Sequence, residues 1–240
     1  MTQIWIITRR ELKAYFDSLM AYILLILFLG FSGFFTWIYG SDIFYIKQAT
    51  LMPFFSIAYW TLFFFIPALT MRLLSEENRM GTLELLLTKP LSNWQVLIGK
   101  YFASLILIAI ALFLTFPYLI TVSSIGNMDA GQVISGYIAL MCFSAMYISI
   151  GLFTSSFTNN QIVSYLTALF IGIFFQIIFG MLAQNASGFI GQILDYLSVS
   201  THFESMTRGV LDTRDIIYFI GISFISLVLT EIMLIKKRYA

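Results

Sequence analysis

Hydrophobic residues run along this chain in long unbroken stretches, punctuated by short polar clusters. No charge falls between Asp17 and Asp42, between Lys47 and Arg72, or between Lys100 and Asp129. Each gap accommodates a helix of about 20 apolar residues, the length that crosses a hydrocarbon core about 30 Å thick. The interval from Asp129 to Asp195 is also uncharged but too long for one crossing. The polar run Thr154-Ser155-Ser156-Phe157-Thr158-Asn159-Asn160-Gln161 divides it and reads as a tight turn between two helices. A last apolar run extends from Ile216 to Ile235. The pattern predicts six spans, at approximately 19–39, 53–73, 101–123, 132–153, 162–183 and 216–235. Transmembrane barrels show short alternating segments instead, so the expected fold is all-α and polytopic. It is one membrane domain over 1–240, without a soluble domain or an internal repeat.

Three shorter segments carry a helical period of their own. Over 4–19, Ile4, Trp5, Leu12, Tyr15, Phe16 and Leu19 fall on one arc, and Arg9, Arg10, Lys13 and Asp17 fall opposite. This predicts an interfacial helix with Arg9, Arg10 and Lys13 among lipid headgroups; the alternative is a basic flank that simply extends the first span. Between Arg72 and Lys100, Gly81 interrupts a charged helical run holding Glu76, Glu77 and Arg79. The stretch Thr82-Leu83-Glu84-Leu85-Leu86-Leu87 then offers a short apolar helix that Pro90 ends. Ser92 and Gln95 have the spacing of a capping box that opens the third long helix. Exposed leucines rimmed by charge mark a docking surface, although an amphipathic connector resting on the membrane fits the same residues. Before the sixth span, Ile190, Ile193, Leu194 and Leu197 predict one short outer helix. Thr201 and Glu204 predict a capped second one, and Asp212 and Asp215 can cap the last span.

Composition agrees: 60% of the 240 residues are hydrophobic and 10% charged, against roughly a quarter charged in an average soluble domain. Lysine and arginine decide the expected orientation. With the N-terminus inside, Arg9, Arg10, Lys13, Arg72, Arg79, Lys89, Lys100, Lys236, Lys237 and Arg238 collect on the inner side. Only Lys47, Arg208 and Arg214 remain outside, so both termini are expected to be cytoplasmic. The single cysteine, Cys142, lies inside the fourth span and reads as a packing residue. The single histidine, His202, has no neighbouring ligand residues and reads as an interfacial polar group, not a metal site.

Energy coupling has no visible machinery in the chain. There is no G-x-x-x-x-G-K-[ST] phosphate loop, since Gly99-Lys100 lacks the preceding glycine and the following hydroxyl. Glu231 is the one acid well inside a span, and a snorkelling ion pair with Lys236 is its expected explanation. Transport by this chain alone would be passive; otherwise a partner supplies the energy. Nothing points to nucleic acid.

The run Ser75-Glu76-Glu77-Asn78-Arg79-Met80-Gly81-Thr82-Leu83-Glu84-Leu85-Leu86-Leu87-Thr88-Lys89-Pro90-Leu91-Ser92, ending in Gly99-Lys100, resembles a signature of type-2 ABC exporter permeases. The outer run from Thr201 to Val210, with Asp215 starting the last span, is similar to a second pattern of that family. The overall texture is most similar to its gliding-motility permeases. The resemblance implies a cytoplasmic coupling helix that contacts a separate ABC ATPase, which holds the ATP and Mg while this chain binds no cofactor and is not an enzyme. It implies a second permease copy or paralogue, membrane lipids as neighbours, and a bacterial inner membrane. Glu76, Glu77 and Arg79 would form the charged rim of the ATPase contact. Gly81 would supply the turn, and Thr82, Leu83, Glu84, Leu85, Leu86, Leu87 and Pro90 the docking helix. Asn78 departs from the basic residue common at that position in the family. The alternative function with the same fold is a membrane scaffold that anchors a motility or secretion apparatus without moving a substrate.

Overall fold

The computed structural model describes residues 2–38, 49–81 and 92–238. Six helices in it are long and apolar enough to cross a membrane, and the described residues contain no strand. In lipid an α-helix satisfies its backbone hydrogen bonds internally, which is why six uninterrupted apolar runs become six helices. Together these define a multi-pass membrane protein.

α1 (Thr2–Asp17) precedes the spans, and Ser18, in extended geometry, breaks the chain between it and α2 (Leu19–Trp37). α1 is therefore a separate helix and not an extension of the first span. α3 (Met52–Thr70) leads through a turn into the short α4 (Ser75–Met80). α5 (Asn93–Phe113) opens with the predicted capping box, Ser92 and Gln95 each bonding the other's backbone. It begins ahead of residue 101, so the third span carries a helical stem. α6 (Phe116–Ile125) continues it after a bend at Leu114–Thr115. Pro117 follows this bend, lacking the N–H that would extend the ladder. The Thr115 hydroxyl, fully buried, donates to the Leu112 carbonyl at 2.6 Å and meets the Tyr137 hydroxyl at 2.9 Å.

α7 (Ala130–Phe157) is the axis of the bundle. α3 and α5 pack against it, as do α8 (Gln161–Ile173) and α12 (Thr213–Arg238). Small residues permit the closest approaches, as in membrane helix pairs generally. A Cβ on Gly136 would lie 2.4 Å from the Phe55 ring, and one on Gly151 would lie 2.0 Å from Thr70 Oγ1. Buried hydroxyls on α5, α7 and α12, such as Ser104, Ser144 and Thr230, donate back to carbonyls of their own helices.

The polar run Thr154–Gln161 is not a turn throughout. α7 continues to Phe157 and only 158–160 leave the helix; Thr154, Ser155 and Ser156 are fully buried helical residues. The fifth span widens into a π-helical turn, Phe174–Ile178, before α9 (Phe179–Asn185). α10 (Phe189–Leu197) and α11 (Val199–Thr207) follow before α12. Six alternating crossings return the chain to the end it started from. That end, with both termini, holds α1, α4, the start of α5 and the end of α7; α9, α10 and α11 lie at the far end.

Candidate functional site

The predicted coupling segment starts where α3 ends. Residues 71–74 leave regular helix, which exposes backbone groups that must find partners inside the protein. One side chain serves them. Ser155 Oγ accepts from the N–H of Leu74 at 3.0 Å and of Ser75 at 2.9 Å, and it donates to the Met71 carbonyl at 3.0 Å. A hydroxyl offers one proton and two lone pairs, so its capacity is filled. The Ser75 hydroxyl donates back to Met71, and the Asn78 amide donates to the carbonyls of Ser156 at 3.2 Å and Thr158 at 3.5 Å. α4 is thus fastened to the end of α7 by a serine and an asparagine. Gly81 ends it with φ at +68°, the left-handed geometry that favours glycine.

A second fastening is ionic. Lys100, on α5, is buried to 1% exposure, with Nζ 2.7 Å from Glu77 Oε1 and 3.4 Å from Glu11 Oε1. A buried ammonium requires such partners. One lysine therefore ties α5 to both α4 and α1. Burial pushes the Glu11 carboxyl up, but Lys100 and Arg10 outweigh it and hold the group below its ordinary value of 4.5. α1 is further pinned by the Thr8 hydroxyl on the Gly99 carbonyl at 3.2 Å and by Tyr15 against Ser104 at 3.0 Å. A Cβ on Gly99 would lie 2.6 Å from Ile7. A cavity of about 220 Å³ remains between α1, α3, α4 and α5, bordered by Glu11, Tyr15, Arg72, Glu76, Glu77 and Lys100.

Of the predicted site residues, Arg79 and Gly81 are exposed at the edge of the described chain, and Glu76 pairs with Arg72 at 3.3 Å. Glu77 turns inward to Lys100. Thr82, Leu83, Glu84, Leu85, Leu86, Leu87 and Pro90 lie outside the described residues. Arg9, Arg10 and Lys13 are exposed as predicted, and the packed face of α1 shares Ile4, Leu12, Tyr15 and Phe16 with the predicted arc but is rotated to include Ile7, Thr8 and Glu11. Ile7, Thr8 and Tyr15 are buried, while Trp5 is 61% exposed. A hydropathy arc misses the added part of this face because the contacts of Thr8 and Glu11 are polar. Lys100 reads in sequence as one more basic flank, and Ser155 as a turn residue. The signal that could have found Lys100 is its place eight residues past the Ser92 cap, two turns inside a helix with no other charge.

The far end brings further corrections. His202 is buried: Nδ1 lies 2.6 Å from Asp215 Oδ1, Nε2 lies 2.9 Å from the Tyr196 carbonyl, and the ring stacks on Tyr218 at 4.0 Å. It joins α10, α11 and α12. The Thr201–Glu204 capping box does not form, because α11 begins at Val199 and the Thr201 hydroxyl donates to Asp195 at 2.9 Å. Asp212 does cap α12, accepting from the Arg214 N–H at 2.9 Å. Glu231 and Lys236 form no ion pair. Cys142 is a free, partly buried packing residue. No group of three or more metal-ligating side chains occurs among the described residues.

Six candidate spans, with a fastened segment after the second, define a polytopic helical membrane bundle. Residues 5–235 match the ABC-2 family transporter proteins, and the chain belongs to that family. It is 26% identical over 145 residues to the protein named probable multidrug ABC transporter permease YbhR of Escherichia coli strain K12, covering 57% of this chain and 37% of that protein. The protein of the same name in Escherichia coli O157:H7 matches equally. The match thus spans little more than a third of the length of these curated relatives.

Proposed function

We propose that this chain is the permease of an ATP-driven exporter, driven by a separate cytoplasmic ABC ATPase that holds the ATP and Mg. The observation that carries this reading is the double fastening of Ser75–Gly81, by Ser155 to α7 and by Lys100 to α5 and α1. A loop that merely connects two spans needs no such attachment. A lever that receives force at 82–91 must be rigidly joined to the helices it moves. In this reading ATP binding pushes the coupling helix, and α4 passes the displacement to α5 and α7. Glu76 and Arg79 border the ATPase contact, and Leu83, Leu85, Leu86 and Leu87 supply its apolar anchors. The permease itself performs no covalent chemistry in this scheme.

The proposal includes a bacterial inner membrane with both termini cytoplasmic, α1 in the headgroup layer with Arg9, Arg10 and Lys13 toward lipid, and a second permease copy or paralogue. A role in gliding motility belongs to it on overall sequence texture alone; the Escherichia coli relatives, named as probable multidrug transporter permeases, instead favour small molecules as the cargo. Native mass measurement of the complex extracted from membranes is expected to show two permease chains and two ATPase chains. A permease with no ATPase in intact extracts contradicts the exporter reading. Labelling of Ser205→Cys exclusively from the cytoplasmic side contradicts the orientation.

A further inference from the structure

Buried polar atoms without hydrogen-bond partners are rare, and each marks either a cost or a purpose. Among the described residues, the Tyr59 hydroxyl, both amide atoms of Gln176 and Asp215 Oδ2 are of this kind. All three residues border α11. Tyr59 stacks on Phe203 at 4.2 Å, the Gln176 carbonyl accepts from Ser200 at 3.2 Å, and Asp215 holds His202. These four atoms therefore belong to residues packed around one short helix at the far end.

Two chambers open against the same helix. One, of about 330 Å³, has aromatic walls from Phe55, Tyr59, Trp60 and Phe203. The other, of about 480 Å³, is polar: Gln184, Gln192 and Thr201 line it with the carboxylates Asp195 and Glu204. Its floor is built from glycine and alanine, which leaves the space open. Ser200 and Glu204 line both chambers, so the two meet at these side chains of α11. No lysine or arginine among the described residues lines the polar chamber. Arg208 lies on the rim of the aromatic one, 3.9 Å from Glu204 and largely exposed. Tyr59, 5% exposed, lines the aromatic chamber, and its ring stacks on Phe203 at 4.2 Å while its hydroxyl oxygen is enclosed by the protein.

We propose that this two-chambered cleft is a binding site for an aromatic organic cation. Its flat apolar body lies in the aromatic chamber and its positive, amine-bearing side faces Glu204 and Asp195. The chemistry is that of a preformed pocket with few, convergent polar groups. Aromatic faces attract cations through their quadrupole, and the two carboxylates supply charge that an anion would meet as repulsion. Calling the ligand a transported substrate rests on the permease reading; the binding itself does not.

The test uses the full chain in lipid nanodiscs, without ATPase or nucleotide, and follows fluorescence of ethidium, whose aryl amines can donate hydrogen bonds. The comparison probe is its uncharged phenylphenanthridine core. Saturable ethidium binding is expected, at least tenfold tighter than binding of the uncharged core. Glu204→Gln combined with Asp195→Asn should weaken it at least tenfold. Asp195→Asn retains an acceptor for the Thr201 hydroxyl, and both carboxylates are exposed, so the double variant keeps its fold; monodisperse elution checks this. Equal binding of the two probes, ethidium affinity unchanged in the carboxylate variant, or no saturable binding in monodisperse protein would each overturn the proposal. None of these results bears on the native mass of the permease–ATPase complex, so the two readings fail separately.

Discussion

Ser155 and Lys100 show how much of this membrane protein depends on single polar atoms. In Ser155→Ala, two buried N–H groups lose their partner, while the Met71 carbonyl keeps the Ser75 hydroxyl, and each unsatisfied group costs about 1–3 kcal/mol. Lys100→Met removes the cation between Glu77 and Glu11, and breaking a buried ion pair costs about 3–5 kcal/mol. Thermal unfolding in detergent should show a lower Tm for both. Values equal to wild type would mean that neither fastening holds α4. Glu11 makes the same contact sensitive to pH. Its carboxyl lies below the ordinary 4.5, so its contribution is fully present above that value and lost as pH falls through the lower folded value. Protection of α1 amides, measured against the intrinsic exchange rate at each pH, should therefore stay high at neutral pH and fall below about pH 4.5. Protection unchanged below that pH would contradict the assignment.

At the scale of elements, the spans were legible because lipid imposes a one-dimensional rule. Twenty apolar residues without charge make a crossing, whatever their neighbours do. Helix starts were legible where the chemistry is local, as in the Ser92–Gln95 box and the Asp212 cap. The Thr8 and Glu11 part of the packed face of α1, the inward turn of Glu77 and the burial of His202 were not legible. Each depends on a partner 13 or more positions away, and a polar residue looks the same in sequence whether water or a buried partner satisfies it. The Thr201–Glu204 spacing misled for a related reason: Asp195, on the preceding helix, takes the threonine hydroxyl. His202 is the joint between α10, α11 and α12. His202→Phe keeps the ring stacked on Tyr218 but removes both hydrogen bonds. Exchange should then accelerate in α10 and α11 while α3, α5 and α7 remain protected. Uniform acceleration through the bundle would show that His202 supports the whole fold and not the joint alone.

For the whole molecule, function turns on whether force enters through the segment after α3. The bundle is built for it: α7 is the axis, and α4 is held to its end by Ser155 and Asn78. α5 and α1 are gathered onto the same point by Lys100. If Leu83–Leu87 form the docking surface, Leu85→Asp with Leu86→Asp buries unpaired charge in the ATPase contact, a penalty of several kcal/mol. The bundle should be unaffected, because the described fastenings of α4, from Ser155, Asn78 and Lys100, do not involve the substituted positions. The most direct measurement is copurification of the ATPase with this double variant from membranes where it inserts at normal levels. The account predicts a stably inserted permease that has lost its ATPase. Retention of the ATPase at the wild-type ratio would contradict it and leave the segment a connector.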